Sequence, residues 1–221
     1  GQMDVFGAGR LFVADYRPPE EQAAGAEPDD PETIGQMDRP NQMTFRWSRL
    51  MSLSQPRRRV VLKGDVAAVF VSGEHVVATE GLNLPPWPPL DDGRLTRIRG
   101  EKLQVVFDEP GENDDGSAQP VEAGPRVGRL RSFLAEGEVN LVDGDEQRRQ
   151  GVAERMTYDR ETDVVTLIGS LPGQAARPAV LRIEQPGQSR AERFSGSKIR
   201  WFRRGGKDRV LVDDATGAGG R

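Results

Sequence analysis

The residue types that usually carry chemistry are sparse in this chain and poorly spaced to act together. A single histidine, His75, lies in Gly73-Glu74-His75-Val76-Val77, and there is no cysteine. A hydrolytic or zinc-bound role for His75 needs partners at set spacings, and neither a second histidine nor any thiol supplies them. The ordinary reading is an exposed histidine beside a turn. Gly7-Ala8-Gly9-Arg10 has the glycine density of a phosphate-cradling loop. It lacks both the third glycine of the dinucleotide fingerprint and a following Gly-Lys-Ser/Thr, so it reads as a turn. Asp143-Gly144-Asp145-Glu146 and Asp213-Asp214 could ligate calcium, yet neither follows EF-hand spacing, and solvated turns account for both. Among 35 acidic residues no pair stands out for glycoside hydrolysis. These residues point away from an enzyme, and no catalytic set, metal or cofactor is expected.

Charge narrows the partners. The formal net charge is -4, so no overall basic field draws the chain to nucleic acid. The basic runs Arg57-Arg58-Arg59 and Arg203-Arg204 are short and read as solvated strand ends or turns. No stretch approaches the roughly 18 to 20 apolar residues that span a bilayer as a helix. Residues 1 to 16 carry no signal peptide, and Gly1-Gln2-Met3-Asp4-Val5 reads as the interior of a longer, processed protein.

The elements that would position any site are strands. Gly at 26 and Pro at 16 of 221 residues predict many turns and argue against a helical bundle. From Arg59 to Phe70 the even positions are Val60, Leu62, Gly64, Val66, Ala68 and Phe70, while Arg59, Lys63 and Asp65 occupy odd ones. One apolar and one partly charged face is the pattern of a half-buried strand. Similar segments are Leu103–Phe107, Val139–Val142, Val164–Ile168, Ala179–Ile183, Ile199–Phe202 and Arg209–Asp213. Only Gln147 to Thr157 suggests a turn or two of helix. The chain reads as one elongated β domain over residues 1–221, interrupted by polar or Pro-rich insertions at about 17–42, 82–93 and 108–126. The middle one holds Leu84-Pro85-Pro86-Trp87-Pro88-Pro89, a stiff polyproline-like connector whose Trp87 packs on the sheet or meets a partner.

The sequence also repeats itself. Met51 is followed by Val60, Leu62 and Gly64, and Met156 by Val165, Leu167 and Gly169, at identical spacings. Gly64-Asp65-Val66 is echoed by Gly137-Glu138-Val139, and Ala153-Glu154-Arg155-Met156 by Ala191-Glu192-Arg193-Phe194. Such a repeat implies stacked hairpins, none able to bury its apolar face alone, with glycines at bends or close approaches.

Ala135-Glu136-Gly137-Glu138-Val139, then Ala153-Glu154-Arg155-Met156-Thr157-Tyr158-Asp159, then Val165-Thr166-Leu167-Ile168-Gly169 resemble the repeat of the OstA-like family. That family includes the lipopolysaccharide-transport proteins LptA and LptC and the N-terminal part of LptD. The match is best over residues 129–171, with a weaker copy from Trp47 to Val71. The insertions depart from the family's compact pattern. The resemblance implies a twisted, partly open β jelly roll, or β-taco, with acyl chains between two sheets. It also implies a periplasmic or envelope location and end-to-end pairing of edge strands, with itself or with another jelly-roll protein. The expected function is a non-enzymatic lipid-binding or lipid-bridging module whose partner is lipopolysaccharide or another amphipathic envelope lipid. Alternation nominates the groove residues: Val60, Leu62, Val66, Phe70, Leu103, Val105, Phe107, Val139, Leu141, Val165, Leu167, Ile199 and Trp201. The same residues would equally build a closed core, and the alternative is a structural or protein-interaction scaffold with no lipid.

Overall fold

The computed structural model describes residues 1–15, 41–72, 94–107, 130–144, 147–170, 173, 176–188, 190–203 and 208–215. His75, Trp87, Asp145, Glu146 and Arg204 lie outside them, as do the three insertions except Asn41 and Gln42, which open a strand. The described residues form thirteen strands and no helix. The short strands at the start are β1 (Gln2–Phe6), β2 (Gly9–Asp15), β3 (Asn41–Trp47) and β4 (Leu50–Ser54). Four long ones follow, β5 (Arg59–Ser72), β6 (Arg94–Phe107), β7 (Leu130–Gly144) and β8 (Arg148–Asp159). The chain ends with β9 (Val164–Ile168), β10 (Ala179–Glu184), β11 (Glu192–Gly196), β12 (Lys198–Phe202) and β13 (Arg209–Asp213).

All pairings are antiparallel within one sheet that does not close. The outer two of the four long strands change one neighbour halfway, while β6 and β7 keep theirs throughout. The first half of β5 pairs with β4 and its second half with β3, while β8 pairs first with β10 and then with β9. The sheet therefore has two leaves sharing β5 to β8. The first leaf runs β1-β4-β5-β6-β7-β8-β9-β12-β13 and the second β2-β3-β5-β6-β7-β8-β10-β11. This all-β, open jelly-roll arrangement agrees with the sequence expectation.

The crease between the leaves has a local cause. Gly64 and Asp65 are both left-handed, with φ of 83° and 42°, and so are Gly137 and Glu138, at 81° and 45°. Each pair inserts one extra residue against the neighbouring strand, where the register jumps from Lys63 to Val66 and from Glu136 to Val139. A bulge bends its strand and increases its twist, and bulges on alternate strands line up into a fold line. The leaves then close on a single apolar cluster. A methyl built on Gly151 of the second leaf would lie 3.2 Å from Leu167 of the first, so the two walls touch.

The crease also corrects one expectation. Residues 147 to 157 are not helical: Gln147 precedes β8 and residues 148 to 157 belong to that strand, which is extended throughout. The strand's core-facing set switches at the crease, from Gly151 and Ala153 to Met156 and Tyr158. Ala153 and Met156 are consequently three residues apart, the spacing of a helix face, although the chain is a strand.

The Met-to-Gly repeat is one hairpin used twice. Met51 faces Leu62 and Leu53 faces Val60, while Met156 faces Leu167 and Tyr158 faces Val165. Both turns place a left-handed residue at the same step, Arg58 and Asp163. Their amides donate to the carbonyls of Gln55 and Arg160. The final glycines serve different ends. Gly64 is needed for its φ, whereas a methyl on Gly169 would meet the Arg177 carbonyl at 2.1 Å and the Ala179 amide at 2.6 Å. Backbone cannot swing aside as a side-chain tip can, so Gly169→Ala is expected to cost about 1–3 kcal/mol of unfolding free energy. Urea titration of the variant checks this, and an unchanged midpoint would contradict the close approach.

Candidate functional site

The site is the wall between the leaves, and it is built row by row. In the first leaf, register aligns Val5, Met51, Leu62, Leu103, Ala135, Met156, Leu167, Ile199 and Val212 across nine strands. The next row from the crease is Leu53, Val60, Val105, Phe133, Tyr158, Val165, Trp201 and Val210. The second leaf answers with Leu11, Phe45, Ala68, Ile98, Leu141, Gly151, Leu181 and Phe194. Period-2 alternation multiplied by antiparallel register makes these rows continuous.

Every groove residue nominated from sequence lies in this cluster or packs against it. Most are fully enclosed: Leu62, Val139, Val165, Leu167, Ile199 and Trp201 are 0% exposed. Val60 and Phe107 are only partly buried, toward the seam opposite the crease. Alternation missed Phe45, Ile98, Phe133, Met156, Tyr158 and Leu181, all buried in the same cluster. A sharper reading of the repeat would have found Met156 and Tyr158, because they face the nominated Leu167 and Val165.

The seam is polar toward the C-terminal half. Row three of the second leaf passes from Phe70 through Thr96, Asp143 and Arg149 to Ile183. Asp143 is fully buried and receives a two-pronged bond from Arg94, 3.3 Å from Nε and 2.8 Å from Nη2, and another from Thr96 Oγ1 at 2.5 Å. Arg203, which follows β12 of the first leaf, approaches the same carboxylate at 4.0 Å. Beside it Arg149 bonds Asp208 at 2.9 Å, and Asp208 accepts the Trp201 indole N–H at 2.7 Å. The Arg149 and Arg203 guanidinium carbons lie 5.5 and 5.3 Å from the Trp201 ring, so cations cap its face. Arg94 and Thr96 share the leaf of Asp143, but the contacts of Arg203 with Asp143 and of Arg149 with Asp208 and Trp201 join the two leaves, and they clamp the seam where the N-terminal half has Val60, Phe107 and Met43. Asp143 thus sits in a buried ion cluster, not in the solvated turn expected of Asp143–Glu146.

Each end of the stack presents two terminal strands. Among the described strands, β1 pairs with β4 alone and β2 with β3 alone, while β11 pairs with β10 and β13 with β12. Phe6 at 81% and Met3 at 47% are exposed on β1. Among the described residues no group of three or more His, Asp or Glu side chains is placed to hold a metal ion.

No family model matches the chain, and no curated protein matches it. Among solved structures the chain is similar to the crystal structure of LptH, the LptA homologous periplasmic component of the conserved lipopolysaccharide transport device from Pseudomonas aeruginosa. The identity is 16% over 75% of this chain and 78% of that one, with a TM-score of 0.41.

Proposed function

We propose that this chain is a non-enzymatic, periplasmic module that holds the acyl chains of an amphipathic envelope lipid, lipopolysaccharide or another, between its two leaves. One observation carries the reading. The apolar wall runs without interruption from β1 to β13 and ends in half-buried side chains, Val5 and Leu11 at one end, Phe194 and Val212 at the other. A wall that continues to both ends suits a long hydrocarbon better than a compact ligand. Each methylene taken from water contributes about 0.8 kcal/mol, so a chain of a dozen carbons gains enough to spread the leaves locally. The same reading uses the terminal strands. Among the described strands each of these has one edge with no neighbouring strand, and such an edge accepts a further strand, which would extend the wall into a second copy or another jelly-roll protein.

A closed scaffold is the second reading, favoured by the complete enclosure of Leu62, Val165 and Ile199. One experiment separates the two. A photoreactive phenylalanine analogue is placed at Val60 or Phe107 on the seam, and at the outward-facing Gln104 as control, in cells that make lipopolysaccharide. The expected result is a lipid adduct at the two seam positions and none at Gln104, with lipid retained in native mass spectra. Protein that stays empty and uncrosslinked at all three positions would leave the scaffold standing.

A further inference from the structure

The two leaves are not joined in the same way along their length. In the C-terminal half the seam is closed by charge. Arg203 of the first leaf approaches Asp143 of the second at 4.0 Å, and Arg149 of the second bonds Asp208 of the first at 2.9 Å. Both guanidinium groups also cap the Trp201 ring, whose own N–H binds Asp208. Asp143 and Arg203 are buried and Arg149 and Asp208 nearly so, and salt screens such pairs little. The backbones of the leaves also meet there. A methyl on Gly196 of β11 would lie 2.5 Å from the Asp213 carbonyl of β13, and Gly169 leaves no room for one against the chain entering β10. The second-leaf wall in this half is lined by the small residues Gly151, Ala153 and Ala179.

The N-terminal half is built differently. Its second-leaf strands carry Met43, Phe45 and Phe70 into the interior, and the first leaf answers with Met51, Val60 and Phe107. Large side chains on both walls hold the leaves further apart than glycine and alanine do. Methionine is unbranched and refits around a changed neighbour, and Met43, Val60 and Phe107 are only half-buried. The seam row of the second leaf turns from apolar to polar between Phe70 and Thr96, which face each other across β5 and β6.

We infer that an acyl chain is held in the N-terminal half alone, among Met43, Phe45, Met51, Val60, Phe70 and Phe107. The Arg203–Asp143 and Arg149–Asp208 pairs keep the C-terminal half shut. The inference rests on the lipid reading above and narrows it to one stretch of the wall. Hydrocarbon entering the C-terminal half has to part the two ion pairs. Parting one buried pair cancels the burial of about five methylene groups, so two pairs cancel most of a dodecyl chain. In the N-terminal half the same chain displaces only apolar contacts and replaces them in kind.

Dodecanoic acid carrying a diazirine near its methyl end tests this on the unaltered full chain. After illumination, peptide mass spectrometry locates the labelled residues. Label is expected on the six N-terminal residues in about tenfold higher yield than on Leu181, Ile183, Trp201 and Val210, a ratio equal to the burial of about two methylenes. Combining Arg149→Gln with Arg203→Gln loosens the clamp, and label should then reach Ile183, Trp201 and Val210, with melting curves showing that the variant is folded. Even labelling of both halves in the unaltered chain, or label confined to the C-terminal half, overturns the inference and leaves the lipid reading standing. An interior free of label overturns both. A folded variant whose label stays in the N-terminal half overturns the clamp as the cause of closure.

Discussion

Replacing Asp143 by alanine is expected to lower unfolding free energy by about 3–5 kcal/mol, the cost of stripping the partner from a buried cation. The carboxylate is 0% exposed and the Arg203 side chain 3%, so water cannot take over the lost interaction there. Arg94, 19% exposed, keeps partial access to solvent and contributes less to the penalty. Asp143→Asn keeps one acceptor oxygen, which Thr96 and Arg94 Nε can share, while the charge and the second acceptor are lost, and it should cost less than the alanine change. Urea denaturation of both variants gives the ordering. Native-state hydrogen exchange gives the location, since loss of the clamp should release amides of β10 and β12 before those of β6. If the two variants match wild type in both measurements, the cluster is not what joins the leaves at that end. Replacing Asp143, Arg94 and Arg203 together with apolar residues of similar size is expected to restore much of the loss, because no charge is then left without a partner.

Much of the architecture could be read before any coordinates, and the reasons are specific. Alternation from Arg59 to Phe70 worked because the bulge at Gly64 and Asp65 adds one residue to β5 and leaves its core-facing parity intact. Val60 and Leu62 before the crease and Val66 and Phe70 after it therefore fall on one inner wall. In β6 and β8 no residue is added, so parity reverses at the crease. That reversal hid Ile98, whose inward direction disagrees with the register of Leu103 and Val105, and made β8 resemble a helix. The glycine-acid pairs at Gly64 and Gly137 were recognisable as bends, but nothing local says that bulges two strands apart share one fold line. The seam cluster was out of reach for a related reason. Asp143 is separated from Arg94 and Arg203 by many residues in the chain; the β6–β7 register sets Arg94 beside it, and only the folding of one leaf onto the other adds Arg203.

Truncating Trp201 to alanine should cost about 3–5 kcal/mol, the range for a large aromatic lost from a packed core. The indole is 0% exposed and stands in register between Val165 and Val210, so its removal opens a space that neither neighbour can fill by a rotamer change. Part of the cost is polar. Asp208 loses the indole N–H but keeps Arg149, a share of about 0.5–1.5 kcal/mol for one hydrogen bond; Trp201→Phe, which loses that bond and only part of the ring volume, should fall between wild type and the alanine variant. Chemical denaturation measures both. The alanine variant also bears on what the interior is for. Val165 and Val210 border one side of that space and offer apolar contact to a hydrocarbon, while Arg149, Arg203 and Asp208 border the other. A ligand that binds only the folded chain stabilises it by about 2.7 kcal/mol at a hundredfold excess over Kd. If acyl chains can enter between the leaves, a dodecyl-chain amphiphile below its micelle concentration should recover a good part of the loss in Trp201→Ala. It should do little for Asp143→Ala, whose defect is an unmatched charge. Equal response of the two variants would mean that the amphiphile acts on the unfolded chain or the surface, and that the leaves do not admit it.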